Sequence, residues 1–249
     1  MPPLRRSVYE CFIRAHQSLA GVVLYSTWRH LPSVRSLSGI CILVAILSLT
    51  LTSVLQAISF CYQNGFFRSR GYPKAYIYCD TVEGEDANSE SRKIEKAVAV
   101  RVILPRAMKL DAGQYINLWM PTAGLLSCIQ THPFMVTSWS REAQTALDLY
   151  VKVQGGLSAT LYRKARDAPN GSVVFPAFVT GPHGLTEPIH QYESVLLIAD
   201  GSGIAAVLPY LRKLIHGRNT MTCCTRRVHL VWQLHTLGES RAFAETRTY

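Results

Sequence analysis

Residues 38–61 read SGICILVAILSLTLTSVLQAISFC, 24 residues without a charge or a proline. A helix needs about 20 apolar residues to cross the hydrocarbon core of a bilayer. A core helix of a soluble protein is the alternative, but the length of the run and its lack of a polar face argue against that. The run predicts a transmembrane helix, and the rest of the chain has to be arranged around it. An earlier apolar run, residues 11–28, is less clean because it carries Arg14 and His16. Arg14 lies near one end, where a long cationic side chain can reach the interface. Pro32 marks a turn between the runs, so residues 1–62 read as a transmembrane helical hairpin. Arg5 and Arg6 precede it, Arg68, Arg70 and Lys74 follow it, and Arg29 and Arg35 lie between the runs. That bias places both outer flanks, and everything after residue 62, on the cytoplasmic side.

The first run ends in a second informative spacing. His16 and His30 are 14 positions apart, close to four helical turns, so they lie on roughly one face. At 1.5 Å per residue they stand about 21 Å apart along the axis. Imidazoles at two depths suit axial ligation of two stacked haems. One interfacial histidine and one loop histidine fit the same spacing, and spacing does not choose between these readings.

The formal charge of +10 does not point to nucleic acid, because the basic residues are dispersed and several flank the apolar runs. The seven cysteines are odd in number and form no CxxC pair, which supports neither a disulfide framework nor a zinc cluster. The N-terminus shows no small-residue cleavage site of a signal peptide.

Beyond the apolar runs the chain changes character. Residues 63–93 read as a cytosolic linker, basic and aromatic at first and then acidic around GEDANSES. From residue 94 the pattern has period two. In KAVAVRVIL, Val98, Val100, Val102 and Leu104 share one side, and QYINLWM, FMVTSW, LDLYVKV and VVFPAFV are further strand candidates. Short strands with turn signals between them predict a closed or sandwich-like β domain over 94–190. Within it GGLSATLYRKARD predicts a short helix capped by Ser158. Residues 191–249 switch again: YESVLLIADGSGIAAVLPYLRKLIHG is an apolar strand, a glycine turn and an amphipathic helix, and RRVHLVWQL is a second strand. Strand, helix, strand opens a doubly wound domain, and glycines between strand and helix let backbone N–H groups approach a phosphate. Gly201, Gly203 and Ile204 are the candidates there. GSGI alone is a weak motif, since many such turns keep glycine for packing.

In this order the segments resemble the ferric reductase and NADPH oxidase flavocytochrome family, the fungal ferric or cupric metalloreductases in particular. YECFIRAHQSLAGVVLYSTWRHLPS looks like the family's haem-bearing helix, DAGQYINLWMP like the strand that opens onto the flavin, HPFMVTSW like its flavin signature. GPHG and LLIADGSGIAAVLPYLRKL look like the turn before, and the start of, the pyridine-nucleotide domain. The resemblance implies a multidomain membrane protein. Its transmembrane helices, a partial haem-binding domain, would precede a ferredoxin-reductase-like antiparallel β-barrel for FAD and a partial α/β domain for NADPH. It implies haem b on His16 and His30. It implies FAD against His132, Pro133 and Phe134, with the hydroxyls of Thr137 and Ser138, and with its pyrophosphate near Gly156 and Ser158. In an unbroken strand residues 137 and 138 face opposite ways, which ranks Ser138 first. No residue of the chain is expected to act as an acid, base or nucleophile.

Three departures qualify the resemblance. Only two membrane helices are visible where the family has six or more. Asp200 occupies a place usually held by glycine. The distal part of the nucleotide domain does not follow. The expectation is an interior portion of a multi-pass, plasma-membrane oxidoreductase that passes electrons from NADPH through FAD and haem to ferric or cupric chelates. A superoxide-generating oxidase and an inactive membrane-tethered remnant are the alternatives. A metal permease or oxidase partner stays open.

Overall fold

The structure is a computed structural model that describes residues 9–30, 36–67, 71–79, 97–124, 127–128 and 130–234. Arg5, Arg6, Pro32, Arg35, Arg68, Arg70 and the acidic stretch at 80–93 lie outside the described residues. The chain divides into two units, Met1–Tyr62 and Gln63–Tyr249.

The first unit consists of two helices, α1 (Tyr9–His30) and α2 (Leu37–Gln63). Among the described residues, α2 alone is long and apolar enough to cross a membrane. The expectation of two spanning helices is therefore met by one helix of spanning character. Leu43, Leu47, Leu51, Val54 and Ile58 of α2 are all exposed, which is not the pattern of a soluble core helix. Thr50, Thr52 and Ser53 return their hydroxyls to backbone carbonyls three or four residues earlier, so α2 carries these polar groups without leaving them unsatisfied.

The second unit is built on two antiparallel sheets. One has the order β5-β2-β1-β6, from β1 (Lys74–Cys79), β2 (Ala97–Met108), β5 (Gln144–Lys152) and β6 (Ser172–Pro176). The other has the order β4-β3-β7, from β3 (Tyr115–Trp119), β4 (His132–Met135) and β7 (Phe178–His183). A bridge between Val136 and Leu149 joins the sheets at one corner. At the other corner Ala177 separates β6 from β7 and turns its N–H to Pro73 O at 3.0 Å. The expected barrel is thus two sheets around a common core, and VVFPAFV is two strands in different sheets.

The core follows from the alternation of β2. Val98, Val100, Val102 and Leu104 are all buried, with Ile77 of β1, Leu147 and Leu149 of β5, and Ile116 and Leu118 of β3. β1 falls inside the segment expected as a linker. Its short alternation, AYIY, is flanked by charged and aromatic residues that obscure it, yet it pairs with both β2 and β6. Asn64, directly after α2, is 1 % exposed and bonds the backbone of β7 through its side chain. Its Nδ2 donates to Val179 O at 2.9 Å and its Oδ1 accepts the Val179 N–H at 2.8 Å.

The elements after residue 191 have the order expected. β8 (Ser194–Asp200) leads through a 3-10 turn, Gly201–Gly203, into α4 (Ile204–Asn219), and β9 (Arg227–Gln233) pairs parallel with β8. Val195, Leu197 and Leu214 form a small core of their own, separate from that of the two sheets. The other face of β8 presents Leu196 and Ile198, 60 % and 67 % exposed.

Candidate functional site

The motif HPFM forms β4, an edge strand paired only with β3. The edge position suits Pro133, which has no N–H to give a second neighbour. His132 and Phe134 share one face, their ring centroids 6.4 Å apart, and Phe134 packs against the core. Opposite them in β3, Leu118 pairs with His132 and Ile116 with Phe134. Tyr115 ends the same β3–β4 ladder opposite Met135, and its ring lies 5.4 Å from that of His183 in β7.

β4 ends at Met135, so the alternation used to rank Ser138 over Thr137 does not reach them. The chain crosses instead onto β5, and both hydroxyls meet the backbone of Asp148. Thr137 donates its N–H and its hydroxyl to Asp148 O, at 2.8 and 2.9 Å. Ser138 Oγ accepts the Asp148 N–H at 3.2 Å. Thr137 is buried and its hydroxyl is engaged, whereas Ser138 accepts in its bond and keeps its own proton as a donor.

GGLS places a helix start beside this region. Helix α3 (Leu157–Arg166) begins at Leu157, one residue before the predicted cap. Gly156 holds the N-cap position at φ 58°, a left-handed conformation that favours glycine, and no side chain caps the helix. Ser158 does not cap; its Oγ accepts the Gln154 N–H and donates to Gly155 O, both at 3.1 Å, which closes the preceding turn. A Cβ built on Gly155 or Gly156 meets nothing within 4 Å. The approach to the start of α3 at Gly155 and Gly156 is thus uncrowded, and no side chain caps the helix, which suits a phosphate.

The second glycine turn has the same features. No side chain caps α4, and a Cβ built on Gly203 meets nothing within 4 Å. Gly201 is buried at φ 49°, and its carbonyl accepts the Trp232 indole N–H at 3.0 Å, which fixes the turn against β9. Ile204 is buried, an anchor for the start of α4 through packing rather than through its side-chain chemistry. Asp200 lies on the exposed side of β8. The residues present at both helix starts therefore fit phosphate-bearing cofactors.

A cluster that sequence reasoning missed joins α4 to the segments just before β3 and just after β4. Lys213 Nζ donates to both carboxylate oxygens of Asp111, at 2.6 and 2.7 Å. The same carboxylate accepts the Ala112 N–H at 2.8 Å and the Trp139 indole N–H at 3.2 Å. Arg212 Nη1 donates to Thr137 O at 3.0 Å, and the His216 ring lies 5.4 Å from that of Trp139. The turn that presents Asp111 is closed by the Gln114 N–H on Asp111 O, with Gly113 at φ 85°. A side chain at Gly113 would also strike the Tyr210 hydroxyl. One sequence signal was available: Arg212 and Lys213 have no acidic residue three or four positions away on their helix, so their partners had to be elsewhere. Burial opposes ionisation of Asp111, but the bonds from Lys213, Ala112 and Trp139, with the Lys213 charge, outweigh it and hold the carboxyl below its ordinary range.

His16 and His30 both lie exposed on α1. α2 contains no histidine, and no group of three or more His, Cys, Asp or Glu among the described residues could hold a metal ion. A bis-histidine haem takes two imidazoles per iron, and this unit offers one at each depth. The described residues do not complete such a site.

Comparison with known proteins adds the decisive observation. Residues 91–201 match the family described as an FAD-binding domain, and residues 192–246 match the Ferric reductase NAD binding domain. These two domains are what the chain shares with ferric reductases. Among ferric reductases, it is 27 % identical over 214 residues to the Ferric reductase transmembrane component 3 of Saccharomyces cerevisiae, covering 84 % of this chain and 26 % of that protein. It is also 27 % identical over 228 residues to the Ferric/cupric reductase transmembrane component 2 of the same yeast, covering 91 % and 28 %. The Ferric reduction oxidase 7, chloroplastic, of Arabidopsis thaliana is 29 % identical over 148 residues, 54 % of this chain and 19 % of that protein. The chain spans about a quarter of the length of the yeast ferric reductases it matches. A solved ferredoxin NADP+ reductase from Neisseria gonorrhoeae aligns over 70 % of this chain and 61 % of its own, with a TM-score of 0.43 and 16 % identity.

The Asp111 cluster gives a signed pH dependence. Its folded pKa lies below the ordinary value, so the stability it contributes is full above the unfolded value, about pH 4. That contribution fades as pH falls through the lowered folded value. In chemical unfolding of the full chain, Asp111→Asn is expected to cost roughly 0.5–1 kcal/mol at neutral pH. The difference from wild type should hold steady down to about pH 5 and shrink below about pH 4.

Proposed function

We propose that this chain is the electron-input portion of a membrane ferric reductase, which takes electrons from NADPH onto FAD. The observation that carries this is the pair of uncapped glycine helix starts, at Gly156 and Gly203, which both follow the HPF strand in the chain order. FAD when bound accepts a hydride and releases single electrons. The chain's part is to hold and orient. Gly156 and the first N–H groups of α3 would receive the FAD pyrophosphate, with Ser158 shaping the turn before it. His132, Pro133 and Phe134 would form the edge against the isoalloxazine, with Ser138 the better hydroxyl donor and Thr137 serving the crossing onto β5. Gly201, Gly203 and Ile204 would place the start of α4 at the phosphates of NADPH, with Asp200 turned to the exposed side of β8. A ferric or cupric chelate as final acceptor is supported by what the names of the yeast relatives say of those proteins, and oxygen has no comparable support.

The spanning character of α2 and the transmembrane names of the yeast relatives support a membrane protein; the basic flanks of the apolar runs favour a flavin side in the cytosol, and the plasma membrane is part of the same reading. Haem b on His16 and His30 belongs to the same reading, with the opposing imidazoles supplied from beyond these two helices. Full chain purified alone from haem-supplied cells is accordingly expected to show flavin absorption without a Soret band. A Soret band that disappears in His16→Ala and His30→Ala would mean that the chain completes the haem site by itself.

The flavin assignment is tested by Ser158→Glu. A carboxylate in the first turn of α3 suits the helix dipole but repels a pyrophosphate. FAD affinity of the full chain, read by flavin fluorescence, should fall roughly tenfold, while the stability of the flavin-free chain changes by no more than about 1 kcal/mol, the dipole gain offsetting the two lost bonds of the Ser158 hydroxyl. Unchanged FAD affinity would remove α3 from the site.

A further inference from the structure

The second unit contains two apolar cores that do not merge. One lies between the β-sheets, and the other, Val195, Leu197 and Leu214, lies under α4. What joins the flavin-side strands to α4 is polar. Polar junctions between sub-domains permit relative motion by default, unless specific contacts suppress it. Here such contacts converge on one stripe of α4, since residues 212, 213 and 216 are neighbours at helical spacing. Lys213 grips the Asp111 carboxylate, Arg212 bonds Thr137 O, and His216 lies against Trp139. One turn earlier, Tyr210 Oη accepts the Glu187 N–H at 3.2 Å, in the connection that follows β7. The same α4 begins at the glycine turn, about nine residues or 14 Å before Lys213. Thr137 and Trp139, in turn, follow directly after the HPF strand.

We propose that this clasp is the device that sets the pyridine-nucleotide turn at a fixed distance from the flavin strand, with Asp111 and Lys213 as positioning residues for hydride transfer. The inference rests on the flavin and NADPH reading above. Asp111 is held at three points, by Lys213, Ala112 and Trp139, so it acts as the fixed half. Lys213 is the half that moves with α4. A slight rotation of α4 about its docking stripe displaces its N-terminus, and hydride transfer is steep in distance. The clasp touches neither phosphate turn directly. Its loss should therefore affect the encounter of the two cofactors and leave the binding of FAD alone as it was.

The test uses full chain with FAD, in wild type, Asp111→Asn, Lys213→Met, the double variant and Lys213→Arg. Flavin reduction by NADPH is followed anaerobically by rapid mixing, with the maximal rate and the half-saturating NADPH concentration read separately. Each single variant should lower the ratio of the two roughly three- to tenfold. The double variant should be no worse than either single one, because the two residues act as one contact. Lys213→Arg should recover most of the wild-type value, and FAD affinity should stay within about twofold throughout. Effects that multiply in the double variant, or a parallel loss of FAD, would overturn the proposal. Hydrogen exchange supplies a readout that needs no cofactor: Asp111→Asn should speed exchange at residues 111–114 and 137–140 but not in β2. Unchanged exchange there would also overturn the clasp. Wild type that holds FAD but is not reduced by NADPH, with exchange responding as stated, would instead fault the functional reading.

Discussion

Burial of one face of β2 sets the frame for the second unit. Val98, Val100 and Val102 lie in a core that both antiparallel sheets share, and β2 pairs with β1 on one side and β5 on the other. A one-residue slip of β2 would turn these valines to the other face, so the core fixes the register. With β5 fixed, Leu149 receives the bridge from Val136, and Asp148 offers its backbone to Thr137 and Ser138. β4, the HPFM strand, is thereby placed by packing on the neighbouring sheet. β5 then leads into the turn that starts α3. The two open helix starts are thus consequences of the sheets, and the polar clasp carries that order onward to α4.

Much of this frame was legible in the chain. The alternation of KAVAVRVIL named all four buried residues on β2, and the apolar, uncharged run at 38–61 named α2. Strand, glycine turn and helix at 194–219 also stood out, since each element has its own hydrophobic period. The misses have physical causes. VVFPAFV reads as one strand by composition, but Pro176 cannot continue a ladder as donor and the chain changes sheets at Ala177. β1 was passed over because its alternation is only four residues long and lies in basic, aromatic surroundings. Ser158 looked like a cap by residue type, whereas Gly156 takes that position because it accepts the positive φ.

The candidate site was less legible than the fold. Residue types in HPFMVTSW do not say where a strand ends, and the end of β4 at Met135 changed the roles of Thr137 and Ser138. The Asp111–Lys213 pair was hidden because its partners are 102 positions apart. Contacts of that kind follow from topology, not from local pattern. The basic residues of α4, with no acidic residue at helical spacing, hinted at a partner without naming it. At α1, spacing gave two histidines at two depths, while a complete haem site depends on imidazoles that neither helix of this unit supplies.

The account stands or falls on whether this chain holds FAD where NADPH can reach it. The most direct measurement is an anaerobic titration of the FAD-loaded full chain with NADPH, followed by the visible flavin absorption. The account predicts loss of the oxidised flavin band in proportion to the NADPH added, to completion near one equivalent per bound FAD. Flavin that remains bound and oxidised in excess NADPH would contradict it.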